Sequence, residues 1–309
     1  MNKDSANKKY DAIIVGAGFA GIYMLLKLRK LGLSVVILEK ADQIGGTWHW
    51  NRYPGARCDI PSLEYSYQFD HDLQQEWDWS EKYSAQPEIL EYINHVADRF
   101  ELRDGIQFEE EVISANFNEN DSNWSITTSK DDYEAKFCIF ATGCLSVPNK
   151  PHFEGLENFE GELLQTSTWP QDKRDFTGKR VAIIGTGSSA IQSIPLIAQQ
   201  AEELFVFQRT PNYSIPSNNG PMDKNLEHEI KSRYPEFRKE NYLNGFGIAA
   251  ISDESLIVET DIEEVHAQLE ENWQNAGLGF FGGYADVAMD ADANSLSLIH
   301  ISEPTRPYW

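Results

Sequence analysis

The sequence predicts an α/β chain built around two dinucleotide-binding units. Two glycine-rich turns, Gly16-Ala-Gly18-Phe-Ala-Gly21 and Gly185-Thr186-Gly187-Ser188-Ser189-Ala190, each follow a short β-branched run and open an apolar helical stretch. The preceding runs are Ala12–Val15 and Val181–Ile184. Each turn is followed, about twenty residues on, by a second strand-like run, the spacing of a βαβ unit. Those second runs end in opposite chemistry: Val35–Leu38 runs into Glu39, and Leu204–Phe207 into Gln208-Arg209-Thr210. An acid at that point accepts a hydrogen bond from a ribose 2′-hydroxyl, whereas an arginine pairs with a 2′-phosphate. The expectation is two Rossmann-like domains, with FAD on Gly16, Gly18, Gly21 and Glu39, and NADPH on the second turn and Arg209, where Thr210 adds a hydroxyl. Ala190 suffices in the third glycine place because that position only packs helix on strand.

The first unit continues through a Pro-containing aromatic loop, Gly45–Tyr67, into a helix that begins at Gln86-Pro87. Ile89, Ile93, Val96 and Phe100 recur at helical spacing and define its apolar face. Three β-like runs follow, near Phe108–Ala115, Trp124–Thr128 and Ala135–Phe140, with the Asn118–Asn123 cluster as a turn. They predict a small antiparallel meander whose last strand delivers Gly143 to the cofactor. After Pro216 the chain turns charged and helical, over Met222–Asn244 and Asp253–Asn275, with Thr260 or Asp261 and the following Glu263 and Glu264 resembling a capping box. This insertion is either a lobe covering the site or a solvated excursion. The expected organisation is residues 1–147 for the N-terminal part of the FAD domain, 148–215 for the first half of the NADP domain, 216–294 for the helical insertion and 295–309 for a non-native tail. Leu296–Arg306 matches the translation of a sequencing-library transposon adapter, so the fold is expected to be incomplete at the C-terminus.

Composition narrows the partners. The chain has 309 residues, 41% hydrophobic and 24% charged, with a formal net charge of −23. That charge disfavours nucleic acid and anionic membrane, both of which are bound by neutralising phosphates. Cofactor phosphates are held locally by backbone N–H groups and remain compatible with it. The three cysteines, Cys58, Cys138 and Cys144, show no C-x-x-C pair and no disulfide framework, and no metal-ligand cluster stands out. The polar N-terminus lacks a signal-peptide core, and the apolar stretch Ile13–Leu26 is too short to span a membrane. A reducing cytoplasmic setting is expected.

The loop Gly45-Gly46-Thr47-Trp48-His49-Trp50-Asn-Arg-Tyr53-Pro-Gly55-Ala-Arg57-Cys58-Asp59 resembles the extended signature of the Baeyer–Villiger monooxygenases. So do Trp79–Tyr83, Gln86–Leu90, the stretch from Gly185 through Ile191 and Gln192, and Phe205–Pro211. That family's linker fingerprint, F-x-G-x-x-x-H-x-x-x-W-P, is matched by Phe159 to Pro170 with Gln165 in the histidine place and Trp169 retained. Glutamine keeps hydrogen-bonding capacity but cannot titrate. The ending Trp169-Pro170 favours this family over the N- and S-oxygenating flavin monooxygenases, which resemble it with a different ending.

The resemblance implies an NADPH- and O2-dependent flavin enzyme that inserts oxygen beside a ketone carbonyl through a C4a-peroxyflavin, giving an ester or lactone. It implies FAD contacts at Gly46, Thr47–Trp50, Tyr65 and Val112, and NADP contacts along Gly185–Gln192. It places Asp59 near flavin and nicotinamide, orienting an arginine that lies beyond the end of this sequence, with Arg57 and Cys58 on the nicotinamide side. It assigns catalytic-site roles to Gln165 and Trp169 as well. An inactive fragment, an N- or S-oxygenating relative and an uncoupled NADPH oxidase stand as alternatives.

Overall fold

A computed structural model describes residues 7–145, 147–210, 214–244, 247–248, 255–275, 277, 284, 286–287 and 290–293. The adapter-like tail at 295–309 and the expected helix start at Asp253 lie outside the described residues. In chain order the elements begin with β1 (Lys8–Val15), α1 (Phe19–Lys30), β2 (Val35–Leu38), α2 (Thr47–Trp50), α3 (His71–Glu76) and α4 (Gln86–Arg99). Four strands follow: β3 (Ile106–Gln107), β4 (Val112–Asn118), β5 (Asn123–Thr128) and β6 (Asp132–Phe140). Then come β7 (Arg180–Ile184), α5 (Ser188–Ala198), β8 (Glu203–Phe207), α6 (Lys224–Ser232), α7 (Tyr234–Leu243) and α8 (Ile262–Asn275). The fold is α/β and divides into two units, one formed by the chain up to Ala56 with Gln86–Asp175, the other by Arg57–Ala85 with the chain from Phe176 on.

The first unit holds one six-stranded sheet in the order β3-β2-β1-β6-β5-β4. β1 lies at its centre, parallel to β2 on one side and to β6 on the other. Strands covered on both faces read as continuous apolar runs, and Ile13, Ile14, Ile37 and Leu38 are accordingly at most 1% exposed. α4 lays Ile89, Ile93 and Val96, expected from their spacing, into the core together with Tyr92 and Ala97, while Phe100, also expected on that face, follows the helix end and is half-buried. The meander is not a separate layer, because β6 pairs antiparallel with β5 while it also pairs with β1.

The run Phe108–Ala115, expected as one strand, is strand only from Val112, where β4 begins. β3 ends at Gln107, and Glu109 takes a left-handed φ of 55°. The Glu109 and Glu110 N–H groups then bond to the Ala41 and Glu39 carbonyls, carrying the chain across the end of β2 from one sheet edge to the other.

In the second unit β7 and β8 pair in parallel, Ile184 opposite Phe207, with α5 between them in sequence. Met222–Asn244, expected as one helical stretch, is two helices parted at Arg233, with Pro235 in the first turn of α7. α6 is capped by Asp223, whose carboxylate accepts from the Asn225 and Leu226 N–H groups. α8 starts at Ile262 after a single 3-10 turn, Ile257–Glu259, and Asp261 accepts from the Glu263 N–H. Within this unit α6 and α7 pack on the 57–85 segment. Arg238 donates to Gln74 Oε1, Glu64 O and Ser66 Oγ, and Lys231 Nζ to Asp78 and the Gln75 carbonyl.

Candidate functional site

The first turn sits where β1 hands over to α1. Gly16 has φ +104°, and a Cβ there would stand 2.7 Å from the Ala141 carbonyl oxygen. A Cβ on Gly21 would collide with the Gly16 carbonyl oxygen. Glycine is therefore required at both places, by backbone conformation at one and by close approach at the other. Gly18 caps α1 with no side-chain hydrogen bond, which leaves the helix N-terminus open toward an anion.

Glu39 follows β2 and is 5% exposed. Its Oε2 accepts from the Ala17 N–H at 2.6 Å and its Oε1 from the Ala41 N–H at 2.8 Å. The acid thus lies against the turn, as a ribose reader must. Gly143, with φ +68°, follows β6 beside the end of β1, because Val15 pairs with Phe140.

Gly46 precedes α2, the single helical turn Thr47–Trp50. Gln86 of α4 donates its amide to the Trp48 carbonyl. His49 is 2% exposed, with Nδ1 at 3.1 Å from Arg52 Nη2 and Nε2 at 3.5 Å from Asp42 Oδ1. Burial, and then the Arg52 charge, hold its protonation below the ordinary histidine range. A neutral imidazole faces the Arg52 donor with Nδ1 unprotonated. Val112 begins β4 in this unit and Tyr65 belongs to the other. Gln165 lies in the first unit too, where its Nε2 donates to the Asn149 carbonyl at 2.7 Å; Trp169 is half-buried.

The second turn repeats the geometry. Gly185 has φ +106° and its N–H donates to the Phe207 carbonyl at 2.8 Å. Gly187 caps α5 without a side-chain bond, so Ser188, Ser189 and Ala190 present free backbone at the helix start. Thr186 Oγ1 accepts from Gln208 Nε2 at 2.9 Å, tying the turn to the end of β8, and Arg209 and Thr210 follow there, both exposed. Such a donor-rich, basic cradle fits a phosphorylated dinucleotide.

One turn into α5, Gln192 Nε2 donates to Asp59 Oδ1 and to the Arg57 carbonyl, both at 3.2 Å. Asp59 is open to solvent on one side. Desolvation from its other neighbours raises its carboxyl above the usual range, while Gln192 and the Arg57 charge pull it back. Burial pushes the Cys58 thiol up to about 11, so it is not a nucleophile at neutral pH. Two residues to which the sequence expectations gave no site role complete the arrangement: Glu81 holds the Arg57 guanidinium, and Asn219 in turn donates to the same Glu81 oxygen. Among the described residues no cluster of His, Cys, Asp and Glu could hold a metal ion, and no helix is long and apolar enough to cross a membrane.

Residues 13–284 match the family described as pyridine nucleotide-disulphide oxidoreductase. Cyclohexanone 1,2-monooxygenase of Acinetobacter sp. is 39% identical over 297 residues, covering 94% of this chain and 54% of that protein. An oxidised steroid monooxygenase solved with NADP superposes with a TM-score of 0.91 at 47% identity, over 95% of this chain and 56% of the other. A crystal structure of OTEMO in complex with FAD and NADP gives a TM-score of 0.89 at 36% identity, over 94% of this chain and 56% of the other. The chain thus spans about half the length of the relatives it matches. The resemblance read from the signature loop holds: relatives at this identity include proteins named Baeyer–Villiger, cyclohexanone and acetone monooxygenases.

Proposed function

The chain belongs to the pyridine nucleotide-disulphide oxidoreductase family, and from that premise we propose that the whole protein is an NADPH- and O2-dependent flavin monooxygenase of the Baeyer–Villiger type. It would insert one oxygen atom beside the carbonyl of a small ketone, giving an ester or lactone. Neither nucleic acid nor a membrane enters this reading, and its setting is the cytoplasm. The observation that carries it is the difference at one structural point: Glu39 after β2 against Arg209 after β8, each beside its own glycine turn. That difference supports FAD in the first unit and NADPH in the second. Thiol chemistry is not proposed, since the three cysteines of these 309 residues form no C-x-x-C pair and Cys58 is held protonated.

When bound, NADPH would supply a hydride and FAD the oxygen-activating ring. The chain's own residues bind and orient them. Gly16, Gly18, Gly21 and the open start of α1 would hold the FAD diphosphate, with Glu39 on its ribose. Thr47, Trp48, His49 and Trp50 would line the same cofactor, together with Val112 and Gly143. The 2′-phosphate of NADPH would rest on Arg209 and Thr210. Arg57, Cys58 and Asp59 would face its nicotinamide half, with Gln192 holding the Asp59 carboxylate.

A second reading, an NADPH oxidase that releases hydrogen peroxide, is favoured by Gln165. It donates a hydrogen bond, as histidine could, but cannot titrate. The test loads the full chain with FAD and supplies NADPH, 18O2 and a panel of linear and cyclic ketones. A flavin spectrum with one 18O atom in an ester supports the monooxygenase. NADPH consumed with peroxide as the only product supports the oxidase. A colourless protein is an inert fragment and sinks both.

A further inference from the structure

We propose that Glu81 is a positioning residue of the second unit: it holds the Arg57 guanidinium off Asp59, so that NADP(H) meets a cation and a carboxylate as two separate groups rather than a closed ion pair. The assignment rests on the NADPH reading of the second turn. Arg57, half-buried, and Asp59, exposed, are two residues apart on either side of the buried Cys58, and opposite charges so placed attract each other. These two described residues nevertheless form no ion pair. Arg57 Nη1 lies 2.7 Å from Glu81 Oε2 and 3.0 Å from the Tyr83 carbonyl. Asp59 takes the neutral Gln192 amide instead.

Glu81 is itself fixed from a distant part of the chain. Asn219 Nδ2 donates to the same Oε2 at 2.6 Å, and Asn219 Oδ1 accepts from the Tyr83 N–H at 2.9 Å. Glu81 forms an antiparallel bridge with Pro221, and the Lys82 N–H donates to the Gly220 carbonyl at 3.0 Å. Glu81 is thus a fixed anchor, and Arg57, bridged through its backbone to Ala85, is drawn to it. Among the described residues the guanidinium's Nε and Nη2 make no hydrogen bond. A primary carboxamide, such as that of nicotinamide, carries one acceptor and one donor group. It complements the unused guanidinium donors of Arg57 and the second oxygen of the Asp59 carboxylate.

The groups that face Asp59 are Arg57, Cys58, Tyr83 and the Gln192 amide; Glu64 acts on Tyr83, and Glu81 acts through Arg57. Desolvation raises the Asp59 carboxyl, and the Gln192 hydrogen bond and then the Arg57 charge offset it only in part. Releasing Arg57 would lower it, and crowding a further carboxylate near Arg57 would raise it.

The test measures the NADP+ dissociation constant of the FAD-loaded full chain by fluorescence titration from neutrality down to the lowest pH at which the protein keeps its FAD. In the unaltered protein, affinity should weaken as pH falls and Asp59 takes up a proton. With Glu81→Gln, Arg57 closes on Asp59. NADP+ then binds about tenfold more weakly near neutrality, the scale of one charge-assisted hydrogen bond, and the acid limb moves to lower pH. Glu81→Asp restores both. Asn219→Asp, which keeps the acceptor for Tyr83 and adds a carboxylate beside Glu81, moves the limb the other way. Curves for Glu81→Gln that coincide with the unaltered protein, or lie parallel to it at every pH, overturn the proposal and leave Glu81 a structural staple. If Glu81→Gln loses its FAD, an unmoved limb in Asn219→Asp overturns it equally. An unaltered protein that binds no NADP+ sinks the NADPH reading and this assignment together.

Discussion

Glu39 Oε2 accepts a 2.6 Å hydrogen bond from the Ala17 N–H, so the acid that ends β2 is fastened to the turn that ends β1. Its other oxygen accepts from the Ala41 N–H. Glu39→Ala leaves two backbone donors without their acceptor in a buried place. The expected loss is about 1–3 kcal/mol of stability, together with at least a tenfold weaker hold on FAD. Thermal unfolding and flavin retained on gel filtration check both. Glu39→Gln keeps one acceptor oxygen and should lose less of each.

Arg209 stands exposed after β8, beside the second turn. Arg209→Ala should weaken NADPH binding about tenfold or more, the scale of a charge-assisted contact, and leave NADH nearly untouched. Equal losses for the two nucleotides would remove the 2′-phosphate assignment.

His49 sets a pH dependence in the first unit. Its folded protonation lies below the ordinary 6.5, from burial first and the Arg52 charge second. As pH falls through 6.5 the unfolded chain binds a proton that the folded chain refuses until lower pH, so stability drops in that window. His49→Gln should flatten this dependence. Urea midpoints compared at about pH 7.5 and about pH 5.5 measure it.

Arg238 fastens α7 to the loop that follows Asp59. Its three hydrogen bonds reach Gln74, Glu64 and Ser66, and its guanidinium lies 5.1 Å from the Tyr234 ring centroid. Arg238→Met keeps the aliphatic bulk and removes those bonds, at roughly 1–3 kcal/mol. Proteolysis within residues 64–74 should quicken in that variant while flavin content holds. Unchanged cleavage would show that α7 does not restrain the loop.

Gln165 donates to the Asn149 carbonyl within the first unit. If titration matters at this place, Gln165→His lowers the peroxide formed per NADPH consumed. An unchanged yield in a peroxidase-coupled assay removes the motive for the oxidase reading.

The glycine turns were legible because a turn at positive φ accepts few residues other than glycine, and because the ribose-reading residue follows at a near-fixed distance along the chain. The Ile89, Ile93 and Val96 face of α4 was legible for the same local reason, its period. The late start of β4 within Phe108–Ala115 was not. A β-rich run looks alike whether it stays in one strand or crosses the end of β2, and the crossing is directed by the carbonyls of Glu39 and Ala41. The break at Arg233 was missed because both flanking segments carry helix-forming residues. Asn219 and Arg238 were passed over, and Glu81 was read only as part of Trp79–Tyr83, since each acts on a residue far away in sequence.

The sequence by itself determined that the chain carries two dinucleotide turns with an acid at one and an arginine at the other, and a signature loop ending in Asp59. These are statements about short stretches, where backbone sterics and strand-to-turn spacing leave little choice. Only the tertiary structure decided that β6 lies between β1 and β5, that α6 and α7 pack on residues 57–85, and that Arg57 turns to Glu81 while Asp59 takes Gln192. Those outcomes depend on which distant groups meet, and a charge two residues from its opposite reveals its partner only once the competing carboxylate has been placed.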